Sequence, residues 1–401
     1  MTTTNNKRKL GIYAHIPFCI RKCAYCDFLS FEDESAVVHK VYIKALTKEI
    51  ETNSKVYNNN YIVDSIFIGG GTPSLILPSM IDDVIKAVKH NFNMAIDSEI
   101  TIEINPKTLS MDKLKSYADS GVNRVSIGAQ SFNDYVLKIL GRIHLAENIL
   151  KNFKMLRAAG FKNINIDLIF GVPAQSLNVW KESLDKALEL SPEHLSFYGL
   201  QVEEGTKLHK MIADRKYKKV DDELDREMYH LAVKELKKAG YKHYEISNAA
   251  KNGYECRHNL KYWSLDDYLG AGLGAHSYID GMRFGNVRDL EKYIEANLEN
   301  QQESEHLKCQ EWSNKNSAED DISEYMFTGL RRTRGINLVE FESRFKRPLK
   351  EVYKKEWPAV EKYIKNKLLI LEGESLMLSE KGIDISNRIM SEFILTAGGR
   401  I

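Results

Sequence analysis

Short runs rich in β-branched and aromatic residues recur along the first 240 positions, each followed by a Gly, Pro or polar loop and then by an amphipathic stretch. The apolar runs cover 10–16, 65–68, 100–104, 124–127, 164–170 and 195–200. Helical periodicity falls between and after them, near 38–54, 78–90, 111–120, 146–159, 179–190 and 222–239. Six strands alternating with six helices predict parallel βαβ units. Right-handed crossovers curl such units into a partial (β/α)6 barrel. A doubly wound open sheet is the alternative, and alternation alone does not exclude it.

Beyond about residue 240 the pattern loosens. Residues 241–296 are aromatic and Gly-rich and read as loops and short strands packed over one face. A polar, charged stretch at 297–321 reads as a linker. Residues 322–401 resume with short helices and a hairpin, LLILEGESLML, turned at Gly373, which predicts a small winged-helix-like α+β domain.

Polar residues interrupt the pattern where the strand runs end. Cys19 follows the first, Gly69-Gly70-Gly71-Thr72 the second, Glu103 closes the third, Gln130 follows the fourth, Asp167 lies in the fifth and Gln201 follows the sixth. In a parallel α/β barrel the active site gathers at the carboxyl ends of the strands, so these positions are expected to meet.

The first of them belongs to HIPFCIRKCAYCDF, where Cys19, Cys23 and Cys26 stand in Cys-x3-Cys-x2-Cys spacing. Thiolates are the usual protein ligands of a cubane iron-sulfur cluster, and three of them leave one of four irons open to a small molecule. A structural zinc site closes with four ligands and would need His15 or a distant residue as the fourth. A disulfide framework needs an oxidising compartment and usually a small chain.

Composition narrows the choice. Only five cysteines occur in 401 residues, and three are clustered. The N-terminus MTTTNNKRKL has no apolar segment and no window resembles a membrane span, so a cytoplasmic protein is expected. A reducing compartment favours metal binding over disulfides. Formal net charge is +1, which gives no bulk field for nucleic acid, and no nucleic-acid partner is expected even for the C-terminal module.

Gly69-Gly70-Gly71-Thr72-Pro73 lets backbone approach a ligand without side-chain interference, or else makes a tight turn with Thr72 or Ser74 capping the next helix. Glu103 and Asp167 are acids in otherwise apolar strands, costly unless a cation or donor meets them. A structural pair with Arg124 or Arg142 would serve, and so would a cationic, hydroxyl-rich ligand.

HIPFC, CxxxCxxC, GGGTPS, ExNP, SIGAQSF, LGRIH and NIDLIFGVP occur in this order. Together they resemble the branch of the radical S-adenosylmethionine family that contains oxygen-independent coproporphyrinogen III oxidase and heme chaperones, from about Leu10 to at least Tyr278. The resemblance implies a [4Fe-4S] cluster on Cys19, Cys23 and Cys26, with S-adenosylmethionine on the open iron and reductive cleavage to methionine and a 5'-deoxyadenosyl radical. It places S-adenosylmethionine contacts on Tyr13, Tyr25, Gly70, Gly71, Thr72, Glu103, Gln130, Arg142 and Asp167, and leaves open a second cofactor molecule.

One departure separates the two branches. The oxidase pattern is CxxxCxxCxC, whereas the position two beyond Cys26 is Phe28. This resembles the heme-chaperone branch, as does Arg257-His258-Asn259-Leu260-Lys261-Tyr262-Trp263, which matches that branch's HNxxYW motif. The resemblance implies heme as cargo, apo-hemoproteins of the respiratory chain as recipients, and absence of coproporphyrinogen oxidase activity, with transient membrane association and homodimerisation open. Heme needs an axial donor and an apolar slot. His258, Asn259, Tyr262 and Trp263 are the candidates for it, with His276 and Cys256 as second choices; a capping or packing role for His258 is the competing reading. Cys309 is expected to be incidental.

Overall fold

The computed structural model describes residues 7–32, 35–298 and 309–395. Six parallel strands form its centre: β1 (Arg8–Ile16), β2 (Tyr61–Gly70), β3 (Met94–Ile104), β4 (Arg124–Gln130), β5 (Ile164–Phe170) and β6 (His194–Gly199). Each is followed by a helix: α1 (Ala36–Tyr57), α2 (Pro78–Asn91), α3 (Met111–Ser120), α4 (Ala146–Ala158), α5 (Leu177–Glu189) and α6 (Asp222–Lys238). The partial barrel is therefore present, its strands covered by helices on the outer face and lining the lumen on the inner one. In β5 every residue except Asp167 is buried.

Helix boundaries follow local chemistry. Ser110 caps α3 by accepting from the Lys113 N–H, and Gly121 ends it at φ +96°. Asp221 caps α6 ahead of an acidic first turn, Asp222, Glu223 and Asp225, which suits the positive end of the helix.

The 241–296 region corrects the expectation that it packs over one face. It supplies strands to both edges of the barrel sheet. β8 (Asn248–Ala250) pairs antiparallel with β6, and β7 (Lys242–Glu245) pairs with β8 at the edge. β9 (Tyr268–Ala271) pairs parallel with β1, and β10 (His276–Ile279), β11 (Met282–Asn286) and β12 (Gln310–Lys315) follow antiparallel, giving a twelve-stranded sheet. Between the two groups, α7 (Arg257–Ser264) crosses the amino-terminal ends of the strands, with Arg257 on Asp97 and Lys261 on Asp64.

A buried carboxylate fixes the new edge. Glu49 of α1 accepts from the Gly272 N–H at 2.7 Å, Asn286 Nδ2 at 2.6 Å and the Tyr293 hydroxyl at 2.5 Å. These donors come from the β9–β10 turn, β11 and α8 (Leu290–Leu298), so one acid ties three segments to the first helix. Burial pushes its pKa up, against the pull of those hydrogen bonds.

The expected linker at 297–321 is largely structured in its described part. Its start completes α8, 310–315 form the edge strand β12, and α9 (Ala318–Gly329) begins before its end; 299–308 lie outside the described residues. Polarity misled because an edge strand with one solvated side carries polar residues: Gln310–Lys315 has no buried member. Cys309 is buried against Asn286 in the main core, which the polar stretch around it did not announce.

α9 opens a small C-terminal α+β domain. Its own apolar core contains Tyr325, Met326, Phe341, Trp357 and Phe393, beside a three-stranded antiparallel sheet. The domain meets the barrel sheet through Arg283–Glu324 and the Tyr278 hydroxyl on Asp321.

The Lys261–Asp64 pair, 2.7 Å apart with side chains 5% and 8% exposed, holds α7 to the barrel. Lys261→Ala leaves a buried charge unpaired and is expected to cost about 3–5 kcal/mol. Urea unfolding should show a clear drop in midpoint. Lys86→Ala, which opens an exposed i,i+4 pair with Asp82, should not move it; equal effects would mean the Lys261 pair is solvated.

Candidate functional site

The residues singled out at the strand ends converge. Cys19, Cys23, Cys26, Tyr25, Gly70, Gly71, Thr72, Glu103, Gln130, Arg142, Asp167 and Gln201 line one cavity of about 430 Å³ at the carboxyl ends of β1–β6. Tyr13 is the exception among the expected cofactor contacts. It lies deeper, in a second cavity of about 190 Å³ inside the barrel, which also receives Glu103, Asp167, His258, Asn259 and Tyr262.

Backbone pairing brings the cysteine loop and the glycine loop together. Past the end of the β1–β2 ladder the Gly71 N–H donates to Ile16 O and the Thr72 N–H to Phe18 O, both at 2.8 Å. A Cβ on Gly71 would come within 2.7 Å of Phe18 O and 2.9 Å of Phe18 N, so only glycine permits this approach. Gly70 has φ +111°, a left-handed region that side chains rarely adopt. Thr72 Oγ1 then lies 3.5 Å from Cys19 Sγ.

The rest of the cysteine loop is pinned from three sides. The Ala24 N–H donates to Leu140 O at 2.9 Å, and Ala24 O accepts from the Leu208 N–H at 2.7 Å. Arg142 donates through Nη1 to Cys23 Sγ at 3.2 Å and through Nη2 to Gly128 O at 2.7 Å. His15 Nε2 meets Leu29 O at 2.9 Å while its Nδ1 meets the Tyr13 hydroxyl at 2.9 Å. Both ring nitrogens of His15 are thus occupied, which removes it as the fourth ligand of a zinc site. Among the described residues no three His, Cys, Asp or Glu are gathered closely enough for a single metal ion. The three thiols instead line the wall of a cavity, which fits a polynuclear cluster seated between them.

The two acids answer the question posed by the sequence. Neither is paired with Arg124 or Arg142. Glu103 accepts from the Gly70 N–H at 3.2 Å. Asp167 accepts from Ser126 Oγ at 2.9 Å and Asn165 Nδ2 at 2.8 Å. Burial, reinforced by neighbouring Asp167, pushes Glu103 up to about 8 against the Gly70 N–H and the more distant Arg124 charge. Asp167 is raised too, by burial, with the hydrogen bonds from its polar neighbours opposing. Burial likewise lifts Cys19 and, to about 11, Cys26. The cavity therefore holds buried acids without a cationic partner beside three thiols, a donor set that a cationic ligand and a metal cluster would complete.

The polar ladder beneath Asp167 went unnoticed in the sequence. His194 Nδ1 meets Asn165 Oδ1 at 2.6 Å, and Ser196 Oγ donates to the same oxygen at 3.2 Å. Its signal was present: Asn165 and Asp167 are two apart in a strand, hence on one face, with Ser126 and Ser196 in register on the flanking strands. Tyr198, which lines both cavities, was also missed.

His258, the expected axial donor, stands in the floor of the barrel. His258 is buried, its Nδ1 is 3.0 Å from Ser65 Oγ and its Nε2 2.9 Å from the Tyr262 hydroxyl. Burial first, then Lys261 and Arg124, depress its pKa to about 3. Trp263 lies under the Arg331 guanidinium, 4.5 Å from its ring centroid. Cys256 is buried against Glu99. The HNxxYW residues close the lower end of the barrel. His258, Asn259 and Tyr262 line the inner cavity; Trp263 does not.

A β/α partial barrel with three cysteines and a glycine loop at its mouth is the build of radical S-adenosylmethionine proteins. The Radical SAM superfamily model matches residues 13–187, and the HemN C-terminal domain model matches 316–385. The coproporphyrinogen III oxidase HemN of Escherichia coli superposes with a TM-score of 0.82 over 97% of this chain and 90% of that one, at 23% identity. Heme chaperone HemW of Bacillus subtilis is 35% identical, covering 95% of this chain and 98% of the relative; that of Lactococcus lactis is 32% identical, covering 96% and 97%. HemW of Escherichia coli is 40% identical across 67% of this chain and 70% of its own. The chain belongs to the HemW family.

Two outcomes test the site. Gly71→Ala should lower iron bound per chain after anaerobic reconstitution severalfold, because the new Cβ displaces the cysteine loop; full iron loading would show that the loop tolerates it. For Glu103, the unfolded chain gives up the proton near 4.5 and the folded chain holds it until about 8. Stability of the cofactor-free protein should therefore fall as pH rises through that window. Glu103→Gln should remove this contribution, roughly 1 kcal/mol per pH unit, as read by denaturant unfolding at a series of pH values. Parallel curves for the two proteins would refute the shift.

Proposed function

We propose that this chain is a heme chaperone that carries a [4Fe-4S] cluster and S-adenosylmethionine and delivers heme to apo-hemoproteins. The observation that carries this reading is similarity along nearly the whole chain to relatives named Heme chaperone HemW. The site agrees at the position that separates the branches. Phe28 is 63% exposed and lines the cavity mouth where the oxidase pattern has a further cysteine.

In this reading Cys19, Cys23 and Cys26 hold the cluster. Arg142, on Cys23 Sγ, offsets negative charge on the thiolates. Gly70 and Gly71 would present backbone groups to the amino-acid end of S-adenosylmethionine, Glu103 and Asp167 would accept from its ammonium or ribose hydroxyls, and Tyr25 would offer its ring to the adenine. When bound, the cluster supplies one electron and the cofactor a reducible sulfonium. Thr72, Gln130 and Arg142 complete the enclosure. Gln130 faces the cavity through a left-handed backbone of φ +67° at the end of β4.

No helix among the described residues is long and apolar enough to cross a membrane. The reconstituted protein should retain hemin through desalting, pass it to apomyoglobin, and leave coproporphyrinogen III unchanged under reducing conditions with S-adenosylmethionine. Formation of protoporphyrinogen IX would establish the oxidase reading instead. Stoichiometric zinc with no iron would exclude both.

A further inference from the structure

A cluster that reduces a sulfonium loses one electron each time, and that electron has to be replaced from another molecule. The replacement must arrive beside the cysteine loop. One segment packed there has no part in the site described above: residues 207–219 carry Lys207, Lys210, Arg215, Lys216, Lys218 and Lys219 against a single acid, Asp214. All of these side chains are exposed. In a chain whose formal net charge is +1, six cations in so short a stretch make a strong local field.

Packing fixes that field against the cluster site. The Leu208 N–H donates to Ala24 O at 2.7 Å, and Ala24 follows Cys23 directly in the chain. One hydrogen bond thus joins the basic segment to the backbone that carries the thiols. Ala24 and Leu208 share a small apolar cluster against which Ile212 and Tyr217 also pack, so the helix Lys207–Ala213 and the turn after it are both held there. Lys207 reaches Glu32 at 3.2 Å, and Glu32 also accepts from the Lys22 N–H at 2.9 Å. Basic helix and cysteine loop therefore meet at one carboxylate.

The surroundings leave the cations unspent. The side chains of Lys210, Arg215, Lys218 and Lys219 have no ion pair or hydrogen bond among the described residues. Acids that could cancel them are engaged elsewhere: Glu203 lines the cavity, Asp221 caps α6 and Asp225 pairs with Arg226. The cysteine loop adds exposed apolar side chains, Phe28 and Ile20. Apolar contacts within a charged rim are the composition of a protein interface. A nucleic acid would suit the charge as well, but it gives no reason for the field to be tied to the cysteine loop.

We propose that residues 207–219 and the exposed side of the cysteine loop form the docking surface for an acidic protein that carries single electrons. The surface rests on the cluster reading given above. On docking, the carrier is oxidised by one electron and the cluster reduced by one, with no bond broken and no proton moved. Reduced plant-type [2Fe-2S] ferredoxin, a carrier of low potential, is the probe. Mixed anaerobically with the reconstituted full chain, it should reduce the cluster at a rate that falls steeply with added salt. Freeze-quench electron paramagnetic resonance separates the two cluster signals. Lys210→Glu combined with Lys218→Glu should lower the low-salt rate at least about tenfold, with iron content and reduction by the methyl viologen radical cation undiminished. Lys151→Glu combined with Lys154→Glu, at exposed positions of α4, makes the same charge change and should leave the rate nearly unaltered. An unchanged rate in the first variant, or an equal loss in the second, overturns the surface. Duplex DNA that binds the wild-type chain and not the first variant, with the ferredoxin rate unchanged, assigns the lysines to nucleic acid instead. A wild-type cluster that methyl viologen reduces and ferredoxin does not also overturns the surface and leaves the cluster standing. A chain that takes up no iron defeats the cluster reading, and the surface with it.

Discussion

The site depends on two backbone hydrogen bonds that continue a parallel ladder past its end, from Gly71 to Ile16 and from Thr72 to Phe18. They fix the distance between two loops that are otherwise separated by about fifty residues of sequence. The other anchors of the cysteine loop, at Cys23, Ala24 and Leu29, lie beyond Cys19 in the chain and do not set its height over the barrel. The ladder is possible because Gly71 lacks a Cβ that would strike Phe18, and because Gly70 turns through φ +111°. Gly70 and Gly71 are therefore explained by the protein's own geometry, a left-handed turn and a close approach to Phe18, before any ligand is considered. The same bareness on its other side leaves room for one.

The electrostatics of the barrel follow from that enclosure. Glu103 and Asp167 lie in the barrel lumen, where burial makes their charged forms costly. Arg124 is buried nearby but its Nε has no partner, and it forms an ion pair with neither acid. Asp167 is served by neutral donors, Ser126 and Asn165, and Glu103 by one backbone N–H. Neutral donors orient a carboxylate without cancelling its charge. A ligand bearing an ammonium group would recover the attraction that the fold leaves unused.

The central fold was legible because burial on both faces forces strands to read as continuous apolar runs between periodic helices. All six strands and six helices fall at the positions that pattern indicated. Strand-end polarity also located the cavity, from Cys19 to Gln201. The edges were illegible for physical reasons. β9–β12 are short and partly solvated, so they carry Gly and polar residues that read as loop. The Glu49 network joins positions more than two hundred residues apart, and no local pattern marks an acid as the anchor of Gly272, Asn286 and Tyr293. The lumen ladder was readable in principle, through the two-residue spacing of Asn165 and Asp167, but a strand buried on both faces hides which face is the lumen.

The HNxxYW residues show how a recognisable motif can be fixed by packing. His258, Lys261 and Tyr262 are three and four residues apart, so they project from one side of α7. Lys261 reaches Asp64, His258 reaches Ser65, and the Glu99 carboxylate accepts from the N–H groups of Arg257 and His258 at the helix start. Gly11 makes room for this, for a Cβ there would meet Lys261 at 2.7 Å and His258 at 3.2 Å. The helix is thereby keyed to β1, β2 and β3 at once and seals a polar lumen that would otherwise open to solvent from below. A histidine with both nitrogens committed to that seal could ligate iron only by giving up Ser65 or Tyr262, leaving a buried polar group unpaired.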